Sequence, residues 1–192
     1  MTDVSRCPWC GTDPLYMEYH DSEWGTPVYD NQKLFEFLIL EGAQAGLSWI
    51  TVLRKRENYR KAFDNFDPVK IARYTDAKKA KLLLNEGIIR NRLKIDSSIR
   101  NAKAYLTMQK DGEDFSEFLW SFVGGKTLYN QHKNMSTIQA STPESDAMSK
   151  ALKQKGFNFV GTTICYAFMQ ATGMVNDHIQ SCHKYTLPKQ RK

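Results

Sequence analysis

Apolar residues recur along most of this chain at helical spacing, and polar caps and glycines mark where each run begins and ends. Asp30 precedes a segment with Leu34, Phe35, Leu38 and Ile39 on one helix face, loosened at its end by Gly42 and Gly46. Ser48 is placed to cap the next helix, with Trp49, Val52, Leu53 and Tyr59 as its buried stripe and Phe63 following. Asp67-Pro68 is a cap followed by proline in the first turn, and Asp76 is expected to cap a short helix stopped by Gly87. From Asn91, the residues Ile95, Ile99, Ala102 and Leu106 share a face up to Gly112, and Asp114 caps a helix through Phe115, Phe118, Leu119 and Phe122. Gly124-Gly125 opens an irregular stretch to about Ser141. Thr142-Pro143 starts a helix ending near Gly156, and Thr162 starts an apolar helix that stops at Gly173. Alternating, β-branched strand patterns are nearly absent. The expected fold class is therefore all-α, a bundle of short helices with tight connections.

The uncharged stretch from Phe159 to Val175 is shorter than the roughly 20 residues a membrane span needs, and it carries Thr162, Thr163, Tyr166, Gln170 and Thr172. It reads as a buried core helix, and no membrane partner is expected. Met1 to Pro14 holds no apolar signal region, so Cys7, Cys10, Cys165 and Cys182 are expected to be reduced thiols, able to bind metal. The 192 residues fit one domain, expected over 1–185, with 186–192 as a disordered basic tail. At 41% hydrophobic and 25% charged the composition is that of an ordinary globular protein. The formal charge of +6 suits a polyanionic partner but is a weak pointer by itself.

Four constellations carry candidate chemistry. Cys7, His20, His178 and Cys182 lie at the two ends of the chain, and the last two are four apart, the spacing of one helix face. Two thiolates and two imidazoles make a tetrahedral zinc set with no position left for water, so such an ion would be structural and would clasp the termini. Cys7 and Cys10, in Cys7-Pro8-Trp9-Cys10, form a competing set with His178 and Cys182, and His183 is a further candidate. Cys165, in the apolar helix, reads as a small core residue. The second constellation is aromatic: Trp9, Tyr16, Tyr19 and Trp24 crowd a polar, loop-like segment, with Trp49 further on. Aromatic faces stack on an extruded base for roughly 1–3 kcal/mol, and a cationic base gains a further cation–π term; an ordinary core edge fits any one of these residues as well. The third is Glu41, a carboxylate among small and apolar neighbours that could accept from a purine's N–H groups or attract a cationic base, or simply reach solvent. The fourth is the glycine turn from Leu84 to Ile95, where Gly87, Ile88, Arg90, Arg92 and Lys94 could meet a phosphate, loosely in the manner of a helix-hairpin-helix. A plain helix connection fits it equally.

Taken together, these segments resemble the 3-methyladenine DNA glycosylase I family, within the helix-hairpin-helix glycosylases. The resemblance runs from about Arg6 to His183 and rests on Asp13-Pro14-Leu15-Tyr16 with Tyr19-His20-Asp21 and Glu23-Trp24-Gly25, on Leu40 to Leu53, on Gly87 to Ile95, on Trp120-Ser121-Phe122-Val123, and on Phe159 to Tyr166 with Val175 to His178. It implies a structural Zn²⁺ on Cys7, His20, His178 and Cys182, with Cys10 outside the set. It implies Glu41 as the catalytic carboxylate that reads the base, pocket walls of Trp9, Tyr16, Tyr19, Trp24 and Trp49, and a DNA clamp at Gly87, Ile88, Arg90, Arg92 and Lys94. Leu93 stands where close relatives are expected to carry glycine. Most helix-hairpin-helix glycosylases use an aspartate after the hairpin; this family lacks it, and Asp96 falls too early in the chain for that role. The implied protein is a monomeric bacterial cytoplasmic enzyme, nucleoid-associated when it acts on double-stranded DNA holding alkylated purine. It would release 3-methyladenine and cut no strand, since no lysine is placed for Schiff-base chemistry.

Overall fold

The computed structural model describes residues 4–186; apart from Thr186, the expected basic tail lies outside the described residues. Among these, the chain forms α1 (Pro14–Ser22), α2 (Asn31–Gln44), α3 (Trp49–Leu53), α4 (Arg56–Ala62), α5 (Pro68–Ile71), α6 (Asp76–Leu84), α7 (Arg92–Lys110), α8 (Phe115–Ser121), α9 (Pro143–Gln154) and α10 (Thr162–Ala171). The all-α expectation holds, with one small addition. Leu128–Tyr129 (β1) and Val175–Asn176 (β2) pair as a two-residue parallel ladder, too short to leave an alternating signature in sequence. No helix among the described residues is long and apolar enough to cross a membrane.

Capping explains most of the helix starts. The side chains of Asp30, Asp67, Asn91, Asp114 and Thr142 accept from first-turn amides as their positions predicted, each contact being worth about 1 kcal/mol. The differences are informative. The segment read as loop-like around Tyr16 is α1: Asp13 accepts from the amides of Leu15 and Tyr16, and Pro14 occupies the first helical position. At α6 the cap is Thr75, with Asp76 inside the first turn. Ser48 precedes α3 but turns its hydroxyl to that of Thr51, 2.8 Å away, instead of capping. The stripe expected to run unbroken from Trp49 to Phe63 divides into α3 and α4, and α6 ends at Leu84, short of Gly87.

Helix α2 is the centre of the molecule. The sequence predicted one buried face, yet every residue from Phe37 to Ala43 is buried, because α3, α7, α8 and α10 all pack around it. Enclosure of this part of the helix on all sides is what places the Glu41 carboxylate in the interior. Gly42 permits this closeness: a Cβ there would stand 3.2 Å from the Cβ of Phe159, in the segment leading into α10. Gly173, which ends α10, is tighter still. Its φ is +69°, and a Cβ would meet the backbone of Thr26 and Pro27 at 2.4 Å. Gly173→Ala is expected to cost about 3 kcal/mol through the clash and the left-handed backbone together. Thermal unfolding would show this as a Tm lowered by roughly 6–12 °C, and a Tm within 2 °C of wild type would contradict the contact.

Candidate functional site

Helix α1, the turn Pro8–Cys10, the end of α2, the start of α3 and one face of α10 enclose a cavity of ≈ 300 Å³. That is the small end of the range for ligand pockets, roughly 300–1,000 Å³. All five aromatic residues singled out from sequence line it, together with Glu41. Their rings interlock: Trp9 meets Tyr16 and Trp24 edge-on, each with centroids 4.9 Å apart, Tyr16 stacks on Tyr19 at 6.5 Å, and Tyr19 leans on Trp49 at 5.5 Å. Burial pushes the Tyr16 hydroxyl up to about 12, and that of Tyr19 is also raised well above its usual value by burial. Both remain protonated donors at neutral pH.

The sequence analysis did not assign the remaining walls. Thr163, Tyr166, Ala167 and Gln170 of α10 line one side, and Met135, Ile138, Gln139 and Ala140 of the irregular stretch line another. The α10 residues left a signal: in an otherwise aliphatic helix they repeat at intervals of three and four, a single polar and small-residue face. The irregular segment left none, since its position depends on contacts distant in sequence.

Three buried polar atoms around the cavity have no hydrogen-bond partner among the described residues: Trp9 Nε1, Trp49 Nε1 and Glu41 Oε2. Orphaned buried polar atoms are rare in native structures, and all three belong to residues that line the cavity. Burial pushes the Glu41 carboxyl up to about 8, so with the cavity free it is mostly protonated at neutral pH. A cation beside it would reverse this, since an opposite charge stabilises the ionised form.

Cys7, His20, His178 and Cys182 meet behind the aromatic wall, all buried, with their donor atoms within 4.8 Å of one another. Cys182 Sγ lies 3.4 Å from His20 Nε2 and 3.5 Å from His178 Nδ1, and Cys7 Sγ lies 3.6 Å from His178 Nδ1. Tetrahedral bonds of about 2.3 Å to sulfur and 2.0–2.1 Å to nitrogen require S···N edges of about 3.5 Å, so the donor set fits a tetrahedral ion. Both imidazoles are oriented from outside. His20 Nδ1 lies 2.7 Å from Asp21, which Arg6 grips at 2.6 Å, and His178 Nε2 lies 3.2 Å from the Trp24 carbonyl. Donation through those nitrogens leaves the inner lone pairs free for a metal. Cys10 stands outside the set, its thiol turned to the Cys7 carbonyl at 3.2 Å. His183 is also outside, against Ser5 and Asp21. The four-residue spacing of His178 and Cys182 predicted a shared helix face; they converge instead through a turn after β2. Cys165 is a core residue, as expected.

The Cys/His cluster and the cavity share a wall. The Trp24 ring stacks on His20 at 6.2 Å and meets His178 edge-on at 4.7 Å, while Trp9 lies 5.3 Å from His20.

The turn between α6 and α7 places its predicted residues unequally. Arg90 and Arg92 are exposed, Gly87 is half-buried, and Ile88 is in the core, its amide donating to the Asn85 carbonyl. Gly87 leaves no room for a side chain, since a Cβ would come within 2.9 Å of Asn58. Asn91 caps the Lys94 amide, so the first amides of α7 point outward without intrahelical acceptors. The Lys94 ammonium donates to the carbonyls of Ala43 and Ala45 at 2.7 and 2.8 Å, tying this turn to the C-terminal end of α2, just beyond Glu41. Leu93 is exposed within α7, which runs unbroken from Arg92. Asp96 pairs with Lys79 at 3.3 Å and does not line the cavity.

A small helical protein with an aromatic-walled pocket, a buried carboxylate unpaired among the described residues and a cation-bearing turn nearby belongs to a class built to hold a flat, electron-poor ring. Residues 9–185 match the family model of methyladenine glycosylases, and the chain belongs to that family. It is 56% identical over 182 residues to DNA-3-methyladenine glycosylase 1 of Escherichia coli K12, covering 95% of this chain and 97% of that protein. A crystal structure of 3-methyladenine DNA glycosylase I superposes with a TM-score of 0.94 at 56% identity, over 95% of this chain and 100% of the other. A variant of 3-methyladenine DNA glycosylase I in complex with 3-methyladenine gives a TM-score of 0.90 at 36% identity, over 95% of this chain and 98% of the other.

Proposed function

We propose that this protein is a monofunctional DNA glycosylase that takes 3-methyladenine out of the duplex and hydrolyses its N-glycosidic bond, leaving an abasic site and the free base. The observation that carries this is Glu41: a fully enclosed carboxylate, unpartnered at Oε2, among aromatic faces. Methylation at N3 makes the nucleotide's adenine cationic. Glu41 and the faces of Tyr16, Trp9 and Trp49 favour that cation over a neutral base, and the pairing energy offsets the few kcal/mol needed to unstack it. When the bond from the anomeric carbon to N9 breaks, its electron pair stays with the base, which departs neutral. No general acid is needed to protonate it. Water bonds to the anomeric carbon and releases a proton. No lysine among the described residues lines the cavity, so the abasic sugar is expected to stay free of a Schiff base and the strand uncut.

Two further elements belong to this reading. The turn from Asn85 to Asn91 with α7 acts as a helix-hairpin-helix, the first amides of α7 at Arg92 and Leu93 gripping backbone phosphates together with the Arg90 and Arg92 side chains. Cys7, His20, His178 and Cys182 hold a structural Zn²⁺, which supplies cross-linking of the two chain ends and no step of the reaction.

The test is chromatographic separation of purines released from methylated duplex DNA. Free 3-methyladenine with little 7-methylguanine is expected, and binding of the DNA without base release would overturn the assignment.

A further inference from the structure

Asp177 is fully buried beside the cavity but does not line it. Its carboxylate accepts four hydrogen bonds. Tyr166 Oη and Gln170 Nε2 each donate to Oδ2 at 2.7 Å, and Asn130 Nδ2 and His132 Nε2 donate to Oδ1 at 2.7 and 3.2 Å. That fills the roughly four lone-pair sites a carboxylate offers. Tyr166 and Gln170 belong to the α10 wall, while Asn130 and His132 open the segment whose Met135 to Ala140 part forms another wall. The backbone supports the same junction: the Asn130 amide donates to the Asn176 carbonyl, and the Gln180 amide to the His132 carbonyl. One buried charge therefore joins two cavity walls that are far apart in sequence.

The junction also fixes the polarity of one side chain. A carboxylate can only accept, so Gln170 must turn Nε2 toward Asp177. Its Oε1 enters no hydrogen bond among the described residues and is then the atom left to meet a ligand in the cavity. An oxygen there favours a purine bearing an exocyclic amino group at C6 and disfavours one bearing a carbonyl oxygen.

Building on the glycosylase reading, we propose that Asp177 is a positioning residue for substrate choice: it locks the Gln170 amide so that the cavity accepts methyladenine in preference to methylguanine. In Asp177→Asn the new amide supplies a donor, Gln170 can rotate to accept from it, and Nε2 becomes available to a base carbonyl.

The experiment uses duplex DNA treated with a methylating agent, which carries both 3-methyladenine and 3-methylguanine, and reads the ratio of the two bases released. Melting temperature and bound metal are measured in parallel, since Asp177 adjoins His178. In Asp177→Asn the ratio of 3-methylguanine to 3-methyladenine is expected to rise about tenfold, the size of one hydrogen bond changed from matched to mismatched. Gln170→Met, which removes the acceptor without touching Asp177, should raise it to a smaller extent. A general loosening of the fold would slow both releases and leave the ratio alone. Ratios within twofold of wild type in both folded variants overturn the proposal; if Asp177→Asn does not fold, Gln170→Met decides by the same criterion. Release of neither base by wild-type protein would instead sink the glycosylase reading itself.

Discussion

Replacing Glu41 by glutamine is expected to lower kcat/KM for 3-methyladenine release by about a thousandfold, roughly 4 kcal/mol of transition-state stabilisation, and to remove most of its dependence on pH. The wild-type carboxyl is pushed up to about 8 by burial, and only the ionised form attracts a cationic base. In the free enzyme kcat/KM should therefore climb with pH toward about 8 and level off above it, the behaviour of a single essential group in its basic form. The same residue costs stability. A carboxyl whose folded value lies above the unfolded one favours the folded state below the unfolded value of 4.5, and that contribution is lost as pH rises through about 8. Glu41→Gln should accordingly melt close to wild type at pH 4.5 and clearly above it at pH 8, by an amount on the order of 4 kcal/mol. Rate profiles and melting curves across this range check both halves. Parallel pH profiles in wild type and variant would remove Glu41 from the reaction, whatever the size of the rate loss.

Disruption of the proposed metal site should have the largest effect on the fold. Cys182→Ala, or removal of metal by a strong chelator, is expected to cost about 4 kcal/mol and to lower Tm by roughly 8–16 °C, since binding energy at a structural site is folding energy. Activity should fall as well, because Trp9 and Trp24 rest on the His20 and His178 rings and lose their backing when those rings are released. Cys10→Ala is the matched control: a buried thiol in the same segment whose sulfur contacts only carbonyls, for which a change of no more than about 1.5 kcal/mol is expected. Elemental analysis for zinc, with melting curves of the three proteins, separates the outcomes. Protein purified without bound metal, in which Cys182→Ala melts like Cys10→Ala, would leave the four residues as an ordinary polar core.

Much of this molecule could be read along the chain because the signals are local. A cap such as Asp30 or Asp114 acts on amides within three residues, and the stripe of Ile95, Ile99 and Ala102 repeats at the period of one helix. The all-α class, most helix boundaries and the apolar α10 follow from contacts of that range. The Cys and His residues and the N-terminal aromatics were conspicuous as chemistry, and the family resemblance ordered them. Where the reading failed, a neighbouring element had decided. Tyr16 and Tyr19 sit in a helix whose exposed side is polar enough to pass for loop, and β1 exists only because β2 lies beside it.

What the sequence determined by itself was therefore the kind of elements and the residue types available, through interactions spanning one helical turn. Tertiary structure alone decided which of them met. It buried the Phe37–Ala43 part of α2 on every side and so raised Glu41 to about 8, and it bound Lys94 to two carbonyls that its sequence neighbourhood did not reveal. It brought Asn130 and His132 to the same carboxylate as Tyr166 and Gln170. The reason is physical: burial and desolvation depend on everything that surrounds a group, and these surroundings come from segments that no local pattern connects.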